Sequence, residues 1–171
     1  MNSYTGKPEL TALADIENNG FFPNLAISDF VSIYRIPSEL DNPVVLDRLM
    51  LAMLEVNDQL IGVQQALLAL GYADLDAYSS VYSQTINGIE TVFSQYQRAV
   101  FSYGKALVLQ QVKTMNRKAE AENLAKESQE TEAYWLKQSG LAVQWFFNKF
   151  LHDSETNTTP TASGNFSAAV I

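Results

Sequence analysis

Apolar residues recur at three- and four-residue intervals through Leu46, Leu49, Met53, Val56, Leu60, Val63, Leu67 and Leu70. That spacing draws one face of an α-helix held for more than three heptads. Met50, Leu54, Ile61 and Leu68 add a second stripe, and an apolar arc that wide packs against more than one neighbour. Asn42-Pro43 opens the helix with a capping residue followed by proline at the first helical position. Gly71 is placed to close it as a left-handed C-cap. Gly62 lies inside the pattern, where it lowers helix propensity by about 1 kcal/mol, and is the place to look for a close helix approach.

The same patterning sets the other elements. Ser28 is an N-cap candidate with Asp29 in the first turn, and Phe30, Ile33 and Tyr34 follow at helical spacing before Pro37 stops the segment. Residues 72 to 88 lose the period. They read as a long connection with room for one short helix and a turn at Asn87-Gly88. A third helix is predicted from about Ile89 to Met115, with Ile89, Val92, Phe93, Tyr96, Val100, Tyr103 and Leu107 on its apolar face. A fourth is predicted from about Arg117 to Leu151. Its first half is rich in Ala, Glu and Lys and reads as a solvated face. Its second half, with Trp135, Trp145, Phe146 and Phe150, leaves little polar surface, which points to the core or to an interface. The fold class is therefore all-α: a bundle of three long helices and one short N-terminal helix. The division is an N-terminal arm over 1–27, a helical domain over 28–152 and a C-terminal arm over 153–171.

Composition narrows the function. The chain has 171 residues and is 47% apolar, which suits one globular domain. It has no cysteine, so disulfides and thiolate metal sites are excluded. The net charge of -8 opposes wrapping nucleic acid, which needs clustered Lys and Arg. Met1 to Pro8 lacks the apolar run of a secretory signal, and no stretch has the length of a membrane-spanning helix. His152 is the one histidine and is placed at a helix end beside a polar tail. No phosphate-binding loop, dinucleotide fingerprint, zinc spacing or nucleophile elbow occurs. Catalytic, metal and cofactor sites are accordingly not expected, and the chain does not read as an enzyme.

The leader carries the most specific signal. Asn19-Gly20-Phe21-Phe22-Pro23 spends two aromatic residues before any large element. Generic packing of Phe21 and Phe22 onto the bundle is one account of them. A second comes from their company: Arg48-Leu49 and Val56-Asn57-Asp58-Gln59-Leu60, then Gly71-Tyr72-Ala73-Asp74-Leu75, Ile86-Asn87-Gly88, Tyr96-Gln97-Arg98-Ala99-Val100-Phe101 and Lys105-Ala106-Leu107. In this order and spacing, over about residues 17 to 150, the chain resembles the head completion/stabilisation proteins of contractile-tailed phages, typified by head completion protein L. It departs from them in the terminal segments and in Ala119 to Glu132, where the family often has a loop. The last helix could then begin near Glu127.

The resemblance implies a structural virion protein without cofactor. It implies a ring, typically dodecameric, beneath the portal protein after DNA packaging, extending the channel and offering a docking site to the next neck or tail-terminator protein. Viral double-stranded DNA would pass through without sequence-specific binding. The place implied is the head–tail neck of the virion, with assembly in the host cytoplasm. Phe21, Phe22, Arg98, Trp135, Trp145, Phe146 and Phe150 are the candidates for subunit interface or core, Arg98 through pairing with a carboxylate. In the C-terminal arm, Thr158, Thr159, Pro160, Phe166, Val170 and Ile171 are the candidate portal contacts, by analogy with related adaptors. The competing function is a soluble, acidic helical chaperone or regulatory interaction protein.

Overall fold

A computed structural model describes residues 15–37, 40–115 and 131–156. Among them the chain forms six helices and one two-stranded sheet: α1 (Ile27–Ile33), α2 (Asn42–Gln59), α3 (Ile61–Ala69), α4 (Leu75–Tyr82), β1 (Thr85–Ile86), β2 (Ile89–Glu90), α5 (Thr91–Met115) and α6 (Glu132–Thr156). The fold is all-α, as the periodicity predicts, with nothing larger than a hairpin beside the helices.

α5 is the central element. It packs along α6 on one flank and α2 on the other. Its core-facing Val92, Tyr96, Ala99, Val100, Phe101 and Val108 are buried. On the α2 side, Arg48 donates to Gln111 Oε1 at 3.3 Å, and Gly104 admits the Phe30 ring and Leu49. A Cβ at Gly104 would stand 3.1 Å from Phe30 Cζ and 3.5 Å from Leu49 Cδ1. On the α6 side, the buried Ser139 hydroxyl donates to the Ala99 carbonyl at 2.8 Å.

Several boundaries move. α1 starts at Ile27 with Ala26 as N-cap, without a side-chain cap, and ends at Ile33 rather than Ile36. Burial of Ile27 and Phe30 governs this start, and Ser28 has no capping role. The end is fixed by a cation. Buried Lys105 donates from Nζ to the carbonyls of Tyr34 at 2.9 Å and Arg35 at 3.2 Å, satisfying acceptors where the helix leaves off. Arg35 there takes a positive φ of 47°.

The long second helix is two helices. Leu60 has ψ 8° and separates α2 from α3. The ladder resumes at once, with Gln64 N–H donating to Leu60 O at 3.0 Å, and Leu60, Val63 and Leu67 all stay buried. Gly62 is exposed and has no heavy atom within 4 Å of where a Cβ would sit. The close approach therefore belongs to Gly104 instead. α3 closes as predicted around Gly71. Gly71 N–H donates to Leu68 O and Tyr72 N–H to Leu67 O, the paired bonds of a Schellman C-terminus.

The connection after Gly71 is more ordered than its composition suggests. Asp74 caps α4, accepting from Ala77 N–H at 2.7 Å. Asn87 and Gly88 have φ of 52° and 77°, both positive, as a two-residue turn between right-twisted strands requires. Thr85 pairs with Glu90 and Ile86 with Ile89, so Ile89 and Glu90 close the hairpin and α5 begins at Thr91. Residues 116–130, which hold the predicted start of the last helix, lie outside the described residues. α6 runs through His152 to Thr156.

Candidate functional site

The leader is locked onto the bundle by polar bonds. Ile16 N–H donates to Leu25 O at 2.9 Å and Leu25 N–H to Ile16 O at 3.2 Å, closing a loop. At its apex Asn19 Oδ1 accepts from the amides of Phe21 and Phe22 at 3.0 and 3.1 Å, an Asx turn. Leu75 N–H then donates to Phe21 O at 2.9 Å, tying the loop to the start of α4. Phe21 and Phe22 are both buried. The Phe22 ring stacks on Tyr96 of α5 at 5.1 Å, with the planes 3° apart.

Beneath Phe22 three distant residues close a ring of hydrogen bonds. Asn18 Nδ2 donates to the Tyr96 hydroxyl at 2.7 Å. The Tyr96 hydroxyl donates to Asn57 Oδ1 at 2.7 Å, and Asn57 Nδ2 donates back to Asn18 Oδ1 at 2.7 Å. Leader, α2 and α5 thus satisfy one another's part-buried polar atoms. Burial pushes the Tyr96 phenol well above its ordinary range, opposed in part by the Asn18 bond. The phenol stays protonated at neutral pH, so this cluster is a structural lock and carries no acid–base chemistry.

The surface that remains for partners is apolar on the outer helices. Met50, Leu54, Ile61 and Leu68 are 47%, 65%, 48% and 48% exposed. They are the second stripe of the sequence pattern, turned away from α5. α6 exposes Tyr134, Leu136 and Leu141, and the hairpin region exposes Val81, Tyr82, Ile86 and Ile89. Val81, Tyr82 and Ile86 fall in the stretch without period, and Ile89, expected on the apolar face of the third helix, is instead an exposed residue of the hairpin. Its signal was a set of large apolar residues flanking an Asn-Gly turn.

The predicted site residues divide accordingly. The aromatic end of α6 faces largely inward. Phe146 is fully buried, Trp145 stands edge-on to it at 5.1 Å, and Phe150 lies 4.9 Å from the Tyr78 ring of α4. Trp145 and Phe150 are half-buried, and Lys149 Nζ lies 5.1 Å from the Trp145 ring centroid. Trp135 is half-buried against Tyr34, with ring centroids 5.2 Å apart. Arg98 is exposed and donates to Gln138 Oε1 of α6 at 2.6 Å, so within the subunit its partner is an amide; the expected carboxylate across a lateral interface is a matter between subunits. Thr158, Thr159, Pro160, Phe166, Val170 and Ile171 lie outside the described residues.

No described helix is long and apolar enough to cross a membrane. Comparison with curated proteins and with solved structures gave no match. The family model described as phage head completion protein (GPL) does match, over residues 16–149. That span opens at Ile16, the first residue of the locked leader, and takes in the hairpin, all of α5 and nearly all of the packed length of α6. Over most of its length, and through every element that builds the core, the chain belongs to the phage head completion protein family.

Proposed function

We propose that this subunit is a structural adaptor of the phage neck that assembles as a ring beneath the portal after DNA packaging. In this reading the ring prolongs the DNA channel and gives the next neck or tail component its docking face. Head completion is the role of the family to which the chain belongs. The observation that carries the finer reading is the placement of exposed apolar side chains on α2–α3 and on α6, where α2 and α6 pack along α5 and α3 continues from α2 onto α6. A subunit inside a ring needs two such flanks. The acidic balance of 19 acids against 11 bases suits a conduit, because a strongly basic lumen would hold phosphates and resist ejection.

The C-terminal arm supplies the portal contact in this reading. Phe166, Val170 and Ile171 offer apolar anchors on a polar segment, and each arm alone would bind weakly after the cost of ordering. Many arms on one ring would act together through effective concentration. Imaging of necks from phage with and without the protein tests the role. A ring of density beneath the portal that vanishes with the protein is the expected result, and DNA-filled heads that retain their genome without it refute the proposal. Deletion of residues 158–171 should preserve the fold and abolish attachment to portal. A chain that stays a monomer or dimer and is absent from virions would favour the chaperone reading instead.

A further inference from the structure

Resting on the ring reading, we propose that neighbouring copies meet head to tail. The α2–α3 stripe of one copy seats on the outward face of α6 of the next, with Asp58 opposite Lys137. The α2 part of the stripe and the outward face of α6 lie on different sides of α5, while α3 packs directly on α6. Asn57 and Arg48 of α2 bond to Tyr96 and Gln111 on one side of α5. Gln138 and Ser139 of α6 bond to Arg98 and Ala99 on the other. Both faces offer apolar side chains to solvent, Leu54 and Ile61 on one and Tyr134 and Leu141 on the other.

Charge selects the second copy as occupant and fixes its orientation. α2 and α3 together carry Asp47, Glu55 and Asp58 against Arg48. Over its full length α6 carries Lys137 and Lys149 against Glu132, Asp153 and Glu155, but around Tyr134 and Leu141 the nearby charges are basic, Lys137 between them in sequence and Arg98 on Gln138. In a chain of net charge -8 copies repel one another, so a face with a basic excess is where an acid-rimmed apolar stripe docks. Stripe against stripe would instead set like charges together. Asp58 is a helical neighbour of Leu54 and Ile61, and Lys137 of Tyr134 and Leu141, at three- and four-residue spacing. Among the described residues neither Asp58 nor Lys137 has an ion-pair partner.

The test uses full-length chains, with circular dichroism confirming that each variant folds. Assembly is followed by sedimentation and electron microscopy, alone and on DNA-filled heads lacking the protein. Asp58→Lys and Lys137→Glu should each raise the concentration for half-assembly by about tenfold or more, as like charges meet at every contact. An equimolar mixture of the two variants should assemble as the parent does, because alternating copies restore opposite charges throughout. Leu54→Glu should also block assembly, and no mixture with these variants should rescue it. Single variants that assemble normally, or a mixture that is not rescued, overturn the pairing and leave the ring reading standing. So does a Leu54→Glu ring that forms but no longer binds heads, since the stripe would then face the portal. A parent chain that is monomeric under every condition overturns the ring reading itself, and a parent that closes as a dimer overturns the head-to-tail arrangement.

Discussion

Alanine at Gly104 and alanine at Gly62 should move stability in opposite directions. In a helix interior, Gly→Ala gains about 1 kcal/mol from reduced backbone entropy and better propensity. At Gly62 nothing lies within 4 Å of the new Cβ, so the variant should keep that gain. At Gly104 the Cβ would stand 3.1 Å and 3.3 Å from two atoms of the Phe30 ring and 3.5 Å from Leu49 Cδ1. Phe30 has little freedom to retreat. It is fully buried, with Phe101 at 5.3 Å and Tyr34 at 6.1 Å between ring centroids. Overpacking of this kind costs about 1–3 kcal/mol. Set against the propensity gain, the net is a loss of up to about 2 kcal/mol, with the midpoint near 1. For a chain of this size each kcal/mol moves the melting midpoint by about 2–4 °C. Urea and thermal unfolding of both variants, read by far-ultraviolet circular dichroism, separate the cases. A Gly104→Ala chain more stable than the parent would show that Phe30 yields at no cost, and the close approach of α1 to α5 would lose its significance.

Tyr96→Phe should cost about 1 kcal/mol, because Asn57 Oδ1 loses its donor in a part-buried site. The folded chain holds the Tyr96 proton beyond the ordinary value of 10.0, so the parent loses stability as pH rises past 10 while the unfolded chain ionises. The Phe variant should show a flatter alkaline slope in unfolding measured from pH 8 to 11, and an unchanged slope would refute the assignment. Burial, then Asp74 and Glu90, raise the Asp76 carboxyl above 3.8, so its ionisation opposes folding as pH climbs through that window. Asp76→Asn should therefore raise the melting midpoint at pH 7 and leave it unchanged at pH 2.5; a lower midpoint at pH 7 would contradict the sign. Phe146→Ala should cost about 3–5 kcal/mol, and Trp145→Ala less, since Trp145 is only half-buried. Equal losses in urea unfolding would place Trp145 deeper than its exposure indicates.

Periodicity and turn chemistry made much of the bundle legible. The three- and four-residue spacing identified the core line from Leu49 to Leu67, and Asn87-Gly88 marked a turn because both residues tolerate positive φ, though not that Ile89 and Glu90 pair back across it. The second stripe on Met50, Leu54, Ile61 and Leu68 is readable as a widening of the apolar arc, but its exposure among the described residues is not. What stayed hidden depended on tertiary context. Whether Gly62 or Gly104 admits another helix is decided by which element crosses there, and no local pattern carries that. The interruption at Leu60 was invisible because Leu60, Val63 and Leu67 keep their inward spacing through it. The aromatic end of α6 is readable as core or interface but not as which of the two, because the cover that α4 gives Phe150 through Tyr78 leaves no periodic signal in residues 72 to 88. The Asn18–Asn57–Tyr96 ring joins residues whose individual identities say nothing of one another.

That ring also has a consequence for the order of events at the ribosome. The bond from Asn18 to Tyr96 spans 78 residues, so the leader is synthesised long before its seat exists. At 5–20 residues per second the wait is roughly 4 to 16 seconds. During it Phe21 and Phe22 have neither the Tyr96 ring nor the α4 amide of Leu75 to bind. The leader can dock only after α5 has emerged and packed on α2, which makes its closure a late step in folding, governed by loop-closure entropy. Leader-docking variants such as Asn19→Ala should then leave the folding rate nearly unchanged and accelerate unfolding. The segment that begins the family match is the clasp that fastens last.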